Sequence, residues 1–201
     1  FNSSLDPQEF EQERQVILEE ISMKLDQPVG FLYDEIMRLV YESGPYENTV
    51  IGSEETVSEM TRDQLKSHYE RYYSPENMAL IVVGDFDSNR MMSAIQREFN
   101  NEDRPYDPYK GEKRGTVFAR QQEQVWQKDW QQTYFFFTFP GHALTDLDRI
   151  AVDSVIEQML SGGRSSKLVR TLREEKGLVS SISIFGPSYK LPGFWGIYGT
   201  C

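Results

Sequence analysis

The chain has 201 residues, with 21 Lys and Arg against 32 Asp and Glu, so its formal net charge is −11. Such an acidic chain lacks the basic stripe that neutralises phosphates, which argues against a nucleic-acid-binding protein. Its one cysteine, Cys201, excludes a disulfide framework and a thiolate-built zinc site. The two histidines, His68 and His142, are 74 positions apart, so the chain holds no complete HExxH or HxxEH pair.

The hydropathy pattern predicts a soluble protein without a membrane span. The longest wholly apolar run, Met78 to Val83, is far shorter than the roughly 20 residues that cross a bilayer. The sequence begins with Phe1 rather than Met, and Gly193 to Cys201 resembles a strand still in progress. We therefore expect an excerpt of a longer protein, and both a cytoplasmic and a periplasmic location stay open.

The residues before position 100 are predicted to be mainly helical. Asp6-Pro7-Gln8-Glu9 is typical of a helix start, and Thr61-Arg-Asp-Gln64 is typical of a capping box. The apolar, β-branched run Met78–Gly84 predicts a buried strand. The helices predicted here cover residues 6–26, 30–41, 61–72 and 89–99.

A stretch without periodicity, residues 100–115, is rich in Asp, Arg, Lys, Pro, Tyr and Gly and predicts a linker. Beyond it the pattern alternates between strands and helices. The predicted strands cover residues 121–132, 134–139, 179–184 and 194–200, and the predicted helices cover 145–160 and 165–176. The fold class is therefore α+β.

The first predicted helix carries two carboxylates on an otherwise apolar stripe. The spacing of three to four residues places on one face Phe10, Glu13, Ile17, Glu20 and Lys24. The two glutamates lie roughly 10 Å apart along the helix axis. A carboxylate that faces a core is costly unless it is paired or bound to a metal. Either the stripe is partly buried and both glutamates are solvated or paired, or they serve a site.

The stretch Glu13-Arg-Gln-Val-Ile-Leu-Glu-Glu20 resembles the ER-x-V-[VI]-x-x-E stretch of the pitrilysin/insulinase family of zinc metallopeptidases. The resemblance implies that Glu20 is the third zinc ligand and that Glu13 supports the site from the next shell. In that family an HxxEH motif earlier in the chain supplies the two histidine ligands and the general base. Zinc with three protein ligands and one water is typical of catalytic sites.

Further segments resemble successive parts of the same family, in the same order. They are residues 46–54, 60–65, 72–78 and 82–86 before the linker, and 162–168 and 172–178 after it. The resemblance implies a two-domain repeat cut at both ends, with antiparallel-rich sheets and helices packed on one side. Residues 1–102 would be the C-terminal half of the zinc-site domain, 103–118 the linker, and 119–201 the N-terminal half of the second domain. We also expect the helices before residue 100 to cover the sheet built partly from residues 121–200.

The chain departs from the family pattern at one expected substrate-binding position. The resemblance implies that Arg173 contacts peptide backbone near the zinc, although a solvated helix charge is an equal alternative. The tyrosine that accompanies this arginine seven residues later is replaced by Ser180. A homo- or heterodimer partner from the same family would then supply the Arg/Tyr pair.

The resemblance implies that the intact protein is a zinc endopeptidase, of the processing-peptidase type, that hydrolyses peptides or small proteins. Because the HxxEH motif is absent, we expect this chain alone to be inactive and to hold no zinc. The alternative is a non-catalytic partner or structural subunit of the same family. An unrelated acidic α/β binding module stays open only if the series of motifs is coincidental.

Overall fold

The structure, a computed structural model, describes residues 3–99 and 121–201. The predicted linker therefore lies outside the described residues. The helices are α1 (Pro7–Asp26), α2 (Pro28–Val40), α3 (Glu54–Glu59), α4 (Arg62–Tyr72), α5 (Ser88–Phe99) and α6 (Leu147–Ser161). The strands are β1 (Tyr134–Pro140), β2 (Ser181–Phe185) and β3 (Phe194–Thr200). Short 3-10 turns occupy Pro45–Glu47 and Pro75–Asn77.

The chain divides into two compact units. The helical unit contains the described residues 3–21 and 52–99, and the sheet unit contains residues 22–51 and 121–201. The boundary falls within α1, between Ile21 and Ser22. In the described part of the chain, no helix is long and apolar enough to cross a membrane.

The helix starts predicted from capping residues are confirmed. Asp6 Oδ1 accepts hydrogen bonds from the backbone N–H groups of Gln8 at 2.8 Å and Glu9 at 3.1 Å. Thr61 Oγ1 accepts from the N–H of Gln64 at 3.2 Å, and Gln64 Oε1 accepts from the N–H of Thr61 at 2.7 Å. These bonds satisfy N–H groups that have no partner inside the helix, which fixes where α1 and α4 begin.

The buried strand predicted over residues 78–84 is wrong. The segment is not part of a sheet, and its side chains are exposed, with Ile81 83% and Val83 91% accessible. The Gln-rich strand predicted over residues 121–132 does not form either. A strand is stable only beside a partner strand, and the described residues place no partner next to either segment.

The sheet unit is built on three antiparallel strands in the order β1-β3-β2. In this register Phe136 pairs with Tyr198, and Ile184 pairs with Ile197. The strands predicted at 134–139 and 194–200 are confirmed, and β2 begins two residues later than predicted. The α+β class with an antiparallel sheet is likewise confirmed.

Helix α2 covers one face of this sheet. The core is formed by Ile36, Met37, Val40, Tyr41 and Phe194, with Phe136 and Phe185 packed against it. Two of these residues, Tyr41 and Phe194, are almost completely inaccessible to solvent. The expectation that a helix from before residue 100 covers the sheet from after residue 120 is therefore confirmed for α2.

The segment between α6 and β2 differs from the regular helix predicted over residues 165–176. Gly162 and Gly163 end α6 as expected, but Val169–Glu175 forms a π-helix. Gly177 follows with a φ of +59°, a left-handed conformation that glycine adopts without steric strain. Helix α6 begins without a side-chain cap, since Asp146 occupies the N-cap position without a capping hydrogen bond.

Candidate functional site

Helix α1 carries the predicted zinc-ligand stretch, and Arg14 anchors it within the helical unit. The guanidinium group of Arg14 donates 2.7 Å hydrogen bonds to the backbone carbonyls of Val57 and Ser58, at the end of α3. It also pairs with Glu11 at 3.0 Å and lies 4.8 Å from the ring centre of Phe10. Only 13% of the Arg14 side chain is accessible. One buried arginine therefore holds the N-terminal half of α1 against α3.

A second arginine ties the segment before α1 to α4. Arg62 donates from Nε to the carbonyl oxygen of Leu5, and from a terminal nitrogen to the carbonyl oxygen of Ser4 at 3.3 Å. Because Leu5 precedes the Asp6 cap directly, this contact fixes the approach of the chain to the start of α1. The helix that bears the two glutamates is thus held at its start and in its second turn.

Glu13 and Glu20 are both solvent-exposed on α1, while Phe10 and Ile17 of the same stripe are half-buried. The stripe is therefore only partly buried, which agrees with the alternative in which both glutamates are solvated or paired. In the sheet unit, Lys24 ends the stripe in an ion pair with Asp34, with 2.6 Å between Nζ and Oδ1. Asp34 is only 6% accessible, and the ion pair with Lys24 compensates its buried negative charge.

A catalytic zinc site typically has three protein ligands and an open position for water. Among residues 3–99 and 121–201, no three His, Cys, Asp or Glu side chains are grouped so that they could hold a metal ion. Glu20 itself is an exposed carboxylate on α1. The described residues do not by themselves fit a complete zinc centre.

Arg173 lies in the π-helical segment Val169–Glu175 and is exposed. Two ion pairs lie beside it. Arg164 pairs with Glu174 at 2.8 Å, and Arg170 pairs with Glu175 at 3.4 Å. The hydrogen bond from Arg164 lowers the pKa of the Glu174 carboxyl. Within the described residues no hydrogen bond or ion pair holds the Arg173 guanidinium, which leaves it available to an external acceptor. π-Helical segments occur frequently at functional sites.

Ser180 has a structural role at the place where the family pattern has a tyrosine. Its backbone N–H donates to the carbonyl oxygen of Thr200 at 2.7 Å. Its Oγ lies 3.1 Å from the same carbonyl and 2.6 Å from Oγ1 of Thr200. These bonds join the start of β2 to the end of β3.

Sequence reasoning missed one pair of titratable side chains. His142 lies in the loop that follows β1, and its Nδ1 lies 2.6 Å from Oδ2 of Asp153 on α6. Both side chains are about one quarter to one third accessible. No motif links residues 11 positions apart across a loop and a helix, so only the folded structure reveals the contact.

The sequence model of the M16 peptidase inactive domain matches residues 59–201. This is well over half of the chain. The chain belongs to the M16 peptidase family. The match contains Arg173, whereas Glu13 and Glu20 lie before it. The insulinase-type resemblance inferred from the motifs is thereby confirmed.

Curated relatives carry the description "uncharacterized zinc protease". One from Rickettsia felis is 27% identical over 201 residues, covering 99% of this chain and 47% of the relative. One from Mycobacterium tuberculosis is 32% identical over 199 residues, covering 96% of this chain and 44% of the relative. The chain thus spans about half the length of the curated relatives it matches.

Solved structures show the same fold. A protease from Helicobacter pylori matches with a TM-score of 0.78 at 23% identity, over 97% of this chain and 48% of that one. The M16 peptidase inactive domain from Pseudomonas fluorescens matches with a TM-score of 0.74 at 19% identity, over 99% and 48% of the two chains. At these identities the likeness concerns the fold alone.

Proposed function

We propose that this chain is part of a zinc-dependent endopeptidase that hydrolyses peptides or small proteins, with Glu20 as one zinc ligand. The observation that carries the proposal is the exposed carboxylate of Glu20 on α1, a helix held rigidly through Arg14. The printed names of the curated relatives support it. When bound, zinc would polarise the peptide carbonyl and lower the pKa of its bound water.

The site needs ligands that this chain does not contain. Two histidines and a general base would come from an HxxEH motif outside these residues, so the chain alone is expected to be inactive and to hold no zinc. Glu13 lies two turns before Glu20 on the same stripe, which suits it to orient the site through hydrogen bonds rather than to bind the metal. Its exposure leaves its carboxylate accessible to such partners.

Arg173 is proposed to bind the substrate. Its exposed guanidinium can donate two parallel hydrogen bonds to a peptide carbonyl or carboxylate. Because Ser180 replaces the tyrosine of the family pair, a homo- or heterodimer partner would complete the clamp. We propose no nucleic-acid partner, in keeping with the acidic net charge of −11.

A second candidate is a non-catalytic subunit of an M16 assembly. It is favoured by the match to a domain described as inactive, and by Ser180 at the tyrosine position. One observation distinguishes the peptidase from the non-catalytic subunit, namely whether an HxxEH motif is encoded upstream of Phe1. Its presence favours the peptidase, and its absence favours the subunit.

The decisive experiment measures zinc-dependent cleavage of a quenched fluorescent peptide library. The protein under test joins this chain to a family segment that carries HxxEH. Glu20→Gln should abolish cleavage, whereas Glu19→Gln should preserve it, because Glu19 is an exposed neighbour on the same helix. Equal cleavage by both variants would refute the role of Glu20. Zinc-dependent cleavage by the 201 residues alone would refute the proposal that the histidine ligands and the general base lie outside this chain.

A further inference from the structure

The helical unit contains an apolar run, residues 78–83, that is exposed along its whole length. The accessible fraction is 56% at Leu80 and 83% at Ile81. Among the described residues, no backbone hydrogen bond involves residues 79–83. The run therefore offers both apolar side chains and backbone groups to a partner.

Both sides of this run are apolar. In a strand, successive side chains point to opposite faces, which would place Leu80 and Val82 on one face and Ile81 and Val83 on the other. A run that is apolar on both faces is typical of a strand buried within a sheet, whereas an edge strand usually has one wetted face. The partner must therefore cover more than one side of the run, which a short extended peptide does not do.

The helix that follows the run is also without a buried face. None of the residues of α5 is buried, although its apolar side chains Met91, Ile95 and Phe99 recur every four residues on one side of the helix. An apolar strand followed by a helix with one apolar face is typical of a sheet that a helix covers. The described part of the helical unit contains no strand, so such a sheet needs strands from elsewhere.

The relatives are long enough to provide these strands. This chain spans 47% of the Rickettsia felis protein and 44% of the Mycobacterium tuberculosis protein, so each has about as many residues again outside the match. The part of α1 that carries Glu20 belongs to the same compact unit as the run. Under the proposed function, the segment that brings two histidines to Glu20 must pack on this unit.

We propose that residues 78–83 are a strand of a sheet whose other strands come from the HxxEH-bearing segment of a longer protein, and that this pairing holds that segment on the helical unit. The inference rests on the proposed function, because that function requires the segment. Pairing would use the backbone groups of the run, and the completed sheet would remove the Ile81 and Val83 side chains from water.

Hydrogen exchange of residues 78–84, followed by mass spectrometry, tests the pairing. It is measured in EDTA on the 201-residue chain, below the concentration at which that chain scatters light. It is also measured on the protein that joins this chain to a family segment carrying HxxEH. We expect the amides of residues 79–83 to exchange at least about 100-fold more slowly in the joined protein.

Three outcomes of the exchange measurement would overturn the proposal. The first is an equal exchange rate in the two proteins. The second is protection that disappears when the joined protein is diluted, which would identify a second copy as the partner. The third is protection that requires an added peptide, which would identify a substrate strand.

A substitution in the run provides an independent test. Ile81→Lys should lower the melting temperature of the joined protein by at least about 5 °C, because it places a charge inside the completed sheet. Val50→Lys is the matched control, since Val50 is fully exposed and lies outside the helical unit. Equal shifts of the joined protein in the two variants would contradict the pairing.

Glu20→Gln separates this inference from the proposed function. The joined protein with this change should lose zinc but keep the slow exchange of residues 79–83, because Glu20 is not part of the run. Zinc binding through Glu20 without protection of the run would refute the pairing alone. Protection of the run with zinc retained in Glu20→Gln would refute the ligand role alone.

Discussion

The hydroxyl groups of Tyr33 and Tyr189 lie 2.7 Å apart, although 156 residues separate them in sequence. Tyr33 is in α2, and Tyr189 lies in the segment between β2 and β3. Tyr46 stacks on the ring of Tyr189 at a centroid distance of 4.9 Å, and Tyr41 contacts both rings. The cluster of Tyr33, Tyr41, Tyr46 and Tyr189 therefore fastens the helical segment 28–41 to the sheet.

The hydroxyl pair should contribute measurably to stability. Tyr33→Phe and Tyr189→Phe each remove one partner of a partly buried hydrogen bond, so each should lower the free energy of unfolding by about 0.5–1.5 kcal/mol. In the double variant the losses should be less than additive, because the two changes remove the same bond. Urea unfolding followed by circular dichroism measures all four free energies. Strict additivity would show that the hydroxyls do not interact.

The same cluster should make the sheet unit sensitive to alkali. Burial raises the pKa of Tyr41 above its ordinary value, and the nearby Tyr46 and Tyr33 raise it further. The unfolded chain loses this proton at about pH 10, before the folded chain does, so stability present below that pH is lost as the pH rises further. The slope should approach about 1.4 kcal/mol per pH unit for each such tyrosine.

Urea midpoints between pH 8 and pH 11 on the wild type and on Tyr41→Phe test this expectation. The variant should lose stability at neutral pH, since the Tyr41 hydroxyl donates to the carbonyl oxygen of Pro192 at 3.0 Å. Above pH 10 its midpoint should decline less steeply than that of the wild type. Tyr73→Phe, at a half-exposed position, is the control and should keep the wild-type slope. Parallel curves for Tyr41→Phe and the wild type would contradict the assignment.

Arg14 should contribute more to the stability of the helical unit than the exposed Arg97 does. Arg14→Ala removes both charge-assisted bonds to the carbonyls of Val57 and Ser58, and we expect a loss of about 1.5–3 kcal/mol. Arg97→Ala should cost less than about 1 kcal/mol, because its pair with Glu98 is exposed. Thermal unfolding of the two variants provides the comparison. Equal melting temperatures would show that Arg14 does not anchor α1.

The exposed apolar run 78–83 should promote self-association. Its accessible Ile81 and Val83 side chains form an exposed apolar segment outside any sheet, of the kind that pairs with other chains. Ile81→Lys should therefore reduce light scattering at micromolar concentration while leaving the melting temperature within a few degrees of the wild type. Ile184→Lys is the contrasting control, since Ile184 is buried in β2 and its replacement should unfold the sheet unit. Unchanged scattering of Ile81→Lys would contradict this account.

Local signals in the sequence predicted most of the helices, but neither α3 nor the π-helical form of Val169–Glu175. The caps at Asp6 and Thr61 depend on side chains two or three residues from the N–H groups they satisfy, so the information is contained in a short window. The strand at 134–139 was also predictable, because its run of aromatic residues has a high strand propensity. Strong periodicity and local hydrogen bonds are enough in these cases.

Features that depend on distant partners could not be predicted. The run 78–84 has the composition of a buried strand, but composition does not provide the neighbour that a strand requires. The contact between His142 and Asp153 joins a loop to a helix, so no short window of sequence contains it, and no local pattern predicted the π-helical segment that holds Arg173. For Glu20, only the family resemblance indicated the role of a zinc ligand. Its exposed position on α1 is compatible with that role but does not require it.

We propose that Glu20 binds zinc together with histidines from outside this chain. The most direct measurement is the zinc content, by mass spectrometry after gel filtration, of the protein that joins this chain to an HxxEH segment. We expect about one zinc per molecule for the wild type and for Glu19→Gln, and a loss of at least tenfold in zinc affinity for Glu20→Gln. Full zinc occupancy in Glu20→Gln at limiting metal concentration would contradict the claim.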